Sequence, residues 1–180
     1  MPTAQAAARA DRRTDDKWEW DQYVALYRSG AVEFGLGRGG SVAWRRHEEG
    51  GQETRVFFLT QIVGRLWWTV NRYRDVVERT QVSGPWELSL CMRDTLGSIL
   101  GNVGEGWAEP EHTFGQEPPQ CPDEHVVIRS ELSEWPDDDG AQKLVFELGS
   151  RVEDAWGSQQ RRFIARAGPR IGMFDASKYG

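Results

Sequence analysis

Between Arg55 and Thr80, apolar side chains recur at steps of three and four: Val56, Leu59, Ile62, Val63, Leu66, Trp67, Val70, Tyr73 and Val77. That repeat predicts one amphipathic helix of roughly seven turns with a broad apolar stripe. Thr54 stands as a candidate N-cap, and Ser83-Gly84-Pro85 closes the segment. A stripe of this length must be covered, which already demands a second layer. The reverse of the helix is less ordinary. At about 100° per residue the stripe centres on Leu59, Val70 and Val77, and Phe57 and Trp68 fall about 160–180° away, with Gly64 beside them. A glycine within a helix costs about 1 kcal/mol against alanine but allows another backbone to approach closely. An aromatic pair beside a small notch leaves three readings: cover by the C-terminal tail (Phe163, Ile164, Met173, Phe174), a subunit or protein-partner contact, or a small-ligand groove. On the second of them Phe57, Gly64 and Trp68 are candidate partner-binding residues. Phe146 lies off the stripe of a second helix in the same way and is the fourth candidate.

The rest of the chain shows what covers the stripe. Residues 1–17 hold no large apolar residue after Met1 and read as a disordered lead. YVALYRSGAVEFGLG (23–37) reads as a hairpin. A two-residue Ser29-Gly30 loop would pair Tyr27 with Val32. Tyr23, Ala25, Tyr27, Val32, Phe34 and Leu36 would then share one apolar face. SVAWRR continues the meander, PWELSLCMRD and EHVVIRSEL alternate as strands, and LGSILG is either a short strand or an irregular return. Ala141, Leu144, Val145, Leu148, Val152, Ala155 and Trp156 form a second helical stripe, with Asp137-Asp138-Asp139 at its start. The expected order is β-β-β-α-β-β-α. It makes an α+β domain over 18–157, an antiparallel sheet of about five strands with two helices on one face, followed by a basic tail, 158–180.

Charge narrows the partners. The chain carries 22 basic and 28 acidic residues, a net of −6, which argues against a general grip on nucleic acid. From 81 to 140 two basic residues, Arg93 and Arg129, face 13 acidic ones, so the other 120 residues hold a net of +5. A solvated acidic loop region or a surface that attracts a basic partner both fit. Cys91 and Cys121 make no disulfide framework, and no apolar run approaches the 18 residues of a membrane span. With no apolar segment near Met1, the expectation is a cytoplasmic protein.

Sites of known chemistry are sparse. GLGRGG (35–40) lacks the Gly-Lys-Ser/Thr ending of a phosphate loop and leads into a strand, so it reads as a turn. His112, Cys121, Asp123 and His125 have no metal-site spacing. No nucleophile motif occurs. The expectation is therefore no catalytic set, no cofactor and no metal, with a protein partner or a second copy as ligand. A small-ligand-binding protein or hydrolytic enzyme using carboxylates with His112 or His125 near the 105–134 loops is the rival. Nucleic-acid binding through Arg45-Arg46 and Arg161-Arg162 is a third reading.

VALYRSGAVEFG, a Trp-rich helix, GPWELSLCMRDTLGSILG and a closing helix together resemble a region of certain bacterial Schlafen-like proteins. In those it follows an AlbA-type DNA-binding domain. The likeness runs from about Trp18 to Trp156, carries no catalytic signature and does not include the AlbA-type domain. It implies an accessory α+β module in a bacterial defence or regulatory system, and it transfers no functional residue.

Overall fold

A computed structural model describes residues 4–9, 12–14, 17–19, 22–27, 31–36, 42–46, 53–101 and 119–157, and the side chains of 31, 33, 54–101 and 119–157. The fold is α+β, as the sequence predicts. Where the sequence reading places one domain over 18–157, the chain divides by its contacts into two units, Met1–Ala43 and Trp44–Gly180.

In the first unit, β1 (Ala4–Arg9), β4 (Gln22–Tyr27) and β5 (Val32–Leu36) form an antiparallel sheet in the order β1-β4-β5, and β2 (Arg12–Thr14) pairs with β3 (Lys17–Glu19). β1 and β2 fall within the stretch read as a lead. The β4–β5 register corrects the sequence reading. Leu26, not Tyr27, stands opposite Val32, and Val24 stands opposite Phe34. The loop is thus longer than two residues, and a slip of one residue exchanges the faces of a strand. Val24 and Leu26 share their face with Val32, Phe34 and Leu36. Tyr23, Ala25 and Tyr27 share theirs with Glu33, which is exposed.

The division falls within β6 (Val42–Arg46), and the second unit holds β7 (Glu53–Phe58), α1 (Leu59–Thr80), β8 (Trp86–Arg93), β9 (Ile99–Gly101), β10 (His125–Leu132) and α2 (Asp138–Ala155). The predicted helix begins four residues late. Residues 55–58 belong to β7, and Phe58, with no side-chain cap bond, precedes the first turn where Thr54 was expected. Val56 fits the apolar helical period and Phe57 falls opposite it, but both suit a buried strand, being β-branched and aromatic. α1 stops as Gln81 takes φ +52° and its N–H donates to Val77 O at 2.9 Å, a left-handed cap. Leu59, Ile62, Val63, Leu66 and Val70 are buried, so the stripe is real.

The sheets differ from the expected single sheet. SVAWRR joins β7 rather than β5, in the order β6-β7-β9, and β8 pairs with β10 alone among the described strands. The described strands therefore make four sheets of two or three strands, not one of about five. β7 and β9 are parallel, Val56 facing Ile99 and Phe57 facing Leu100. Parallel pairing needs a crossover, which the chain from α1 through β8 provides. Gly101 ends β9 against Val56, and a Cβ there would lie 2.8 Å from Val56 Cγ1. β8 and β10 alternate as predicted, with Met92 paired to Val126 and Leu90 to Ile128.

α2 packs on α1 and on β10. Its start follows from the acidic run: Asp137 accepts a hydrogen bond from Gly140 N at 2.8 Å, and Asp138 and Asp139 occupy the first turn, where the helix dipole favours anions. Leu59, Val70, Val145, Leu148, Val152 and Trp156 are fully buried and centre the core.

Candidate interaction surface

The four candidate residues do not form one face. Phe57 lies in β7, 5% exposed, with its ring 5.4 Å from that of Trp156. It is core, because the helical phase that placed it outside does not extend into the strand. Gly64 and Phe146 are half-buried, on α1 and α2 respectively. Trp68 keeps its predicted place: 43% exposed, on the side of α1 opposite Leu59 and Val70. The guanidinium of Arg72, one turn on, lies 5.8 Å from the Trp68 ring centroid, within reach of a cation–π contact. Val76, another turn on, is 45% exposed. Arg65 and Arg79 continue the same face by helical phase.

Trp135, Trp86 and Tyr73 form a second aromatic group, half-buried where α1 meets β8 and the end of β10. Tyr73 lies 4.7 Å from Trp135 and 5.8 Å from Trp86, and the two tryptophans are 5.7 Å apart and nearly perpendicular. Trp135 Nε1 donates to Val70 O at 3.0 Å. An aromatic cage must hold a cation between its rings. Here the rings fill one another's space, so the group fastens elements together. Gly84 belongs to the same corner, since a Cβ on it would lie 2.6 Å from Ser133 O.

Buried polar groups serve the fold in a similar way. Trp156 Nε1 donates to Ser98 Oγ at 3.1 Å, Ser98 Oγ donates to Thr95 O, and Thr95 Oγ1 donates to Asp123 O at 2.6 Å. Cys121 N donates to Ser98 O at 2.9 Å. Together they tie the turn before β9, the segment before β10 and the end of α2. Sequence reasoning missed this set because its members are far apart in the chain and follow no period.

Residues of the rival readings are placed as follows. His125 opens β10, exposed, with Arg93 opposite it in the ladder. Cys121 is buried and Cys91 exposed. No group of three His, Cys, Asp or Glu positioned for a metal ion occurs among the described residues. His112, Arg161 and Arg162 lie outside the described residues, and Arg45 and Arg46 lie on β6. No helix among the described residues is long and apolar enough to cross a membrane.

Six exposed acids, Glu87, Glu131, Glu134, Asp137, Asp138 and Asp139, lie at or just after the Trp86–Leu132 end of the β8–β10 ladder, and three more, Asp94, Asp123 and Glu124, are exposed beside its His125–Arg93 end. Glu87 and Glu131 stand directly opposite each other, a pairing that like charges disfavour. Arg129 lies 4.0 Å from Glu87, and Arg74 contacts Asp138. The chain matches no protein-family model, no curated protein and no solved structure.

Proposed function

We propose that the protein is a non-catalytic interaction module that binds a protein partner, another chain or a second copy, through the outer face of α1. The observation that carries this reading is Trp68: a large aromatic, 43% exposed, on a helix whose opposite face is buried from Leu59 to Val70, with Arg72 over its ring. Tryptophan and arginine are the side chains most often found at the energetic centre of protein interfaces. The resemblance to an accessory region of Schlafen-like proteins supports the same reading and suggests a role in a bacterial defence or regulatory system.

A photo-crosslinking side chain tests it. With p-benzoylphenylalanine in place of Trp68, irradiation of cells expressing the full chain yields one discrete adduct with a polypeptide. The same group in place of Val127, which is 50% exposed on β10, yields none. No adduct at position 68, or equal capture at both positions, would overturn the reading.

A further inference from the structure

The outer face of α1 is basic as well as aromatic. By helical phase Arg65, Trp68, Arg72, Val76 and Arg79 lie within about 80° of one another, and the arginines mark a line of about 21 Å at 1.5 Å per residue. Asp75 is the acid beside them. Its contact with Arg72 is 4.0 Å long between side chains 65% and 56% exposed, an exposed pair of the kind that contributes little and exchanges readily. The same unit carries the complement of this face at the Trp86–Leu132 end of its ladder, where Glu131, Glu134 and Asp139 are exposed. Glu131 faces Glu87 across that ladder; Arg129 offsets Glu87 only through an exposed contact of 4.0 Å, so a further cation beside Glu131 is favoured.

We propose that the partner at the α1 face is a second copy of this chain, its Glu131–Asp139 end meeting the Arg65–Trp68–Arg72–Arg79 face. This rests on the reading of α1 as an interaction surface and names its occupant. One unit holds both halves of the contact, so a two-fold arrangement forms it twice. The net charge of −6 opposes association uniformly, while the separation of charge along the chain favours one orientation. Trp68 and Val76 supply the apolar centre and the charges the rim, the usual anatomy of a protein interface.

Light scattering on the purified full chain, in low and high salt, tests the proposal. The expected mass is twice the 20.5 kDa of one chain at low salt. It falls to that of one chain at high salt, because exposed charge contacts are screened. Arg65→Glu/Arg72→Glu/Arg79→Glu and, separately, Glu131→Lys/Glu134→Lys/Asp139→Lys each weaken self-association by about tenfold or more. Mixing the two variants restores a dimer. Should the glutamate variant fail to fold, Arg65→Gln/Arg72→Gln/Arg79→Gln keeps the stems and must show the same direction of change. A monomer at every salt concentration, a dimer indifferent to salt, or a mixture of folded variants that stays monomeric would overturn it. If the purified chain is monomeric while the crosslinker at position 68 captures another polypeptide in cells, the second copy is excluded and the interaction surface stands. If neither association is seen, both fail.

Discussion

Trp68 and Trp156 are one residue type in opposite environments, and their substitutions should separate the surface from the core. Trp156 is fully buried, stacks near Phe57 and donates to Ser98. Trp156→Ala should destabilise the fold by about 3–5 kcal/mol. Trp68→Ala should cost below about 1 kcal/mol, the loss of a surface contact with Arg72. Urea unfolding of both variants checks this, and equal losses would mean that Trp68 is a core residue. Phe57→Ala should resemble Trp156→Ala, so it cannot serve as a surface probe. Two glycines also lack room for a side chain. Gly84→Ala and Gly101→Ala would press a methyl group against Ser133 O and Val56 Cγ1, and each should lower stability by about 1–3 kcal/mol in the same assay.

The elements show which signals a sequence displays and which it hides. α1 runs for 22 residues, long enough for its period to fix the phase, and so the outward place of Trp68 could be read without coordinates. β7 was hidden because Val56 continues that phase into the preceding strand, which put Phe57 on the outer side, and a short apolar run beside a helix does not announce its own period. The hairpin failed at its turn. Arg28-Ser29-Gly30 suits a two-residue or a longer loop, and one residue decides which face holds Tyr23 and Tyr27. The α2 start was legible because capping is local: Asp137 lies three residues from the N–H it accepts. Asp137→Ala should cost about 1 kcal/mol, seen as a lower urea midpoint with an unchanged slope. An unchanged midpoint would show that the cap contributes nothing. The Thr95, Ser98, Cys121 and Trp156 set, and the joining of β7 to β9, depend on contacts between distant positions and left no pattern to read.

At the scale of the whole molecule, α1 is anchored by one face and carries on the other an exposed aromatic and basic surface. The uneven charge was visible in the sequence as a bias between stretches. Its meaning came from the fold, which sets six acids around the Trp86–Leu132 end of the β8–β10 ladder and three of the four arginines of α1 on its outer face. Charge separation of this kind predicts association that weakens as salt rises, and an apolar interface alone would not. The central claim, that the outer face of α1 is a contact surface, is tested most directly by placing p-benzoylphenylalanine at successive positions from Gln61 to Arg79 and measuring adduct yield in cells. A helical period is expected, with maxima at 61, 65, 68, 72, 76 and 79 and little adduct at the buried positions 62, 63, 66 and 70. Flat yield along the helix, or maxima elsewhere on it, would contradict the claim.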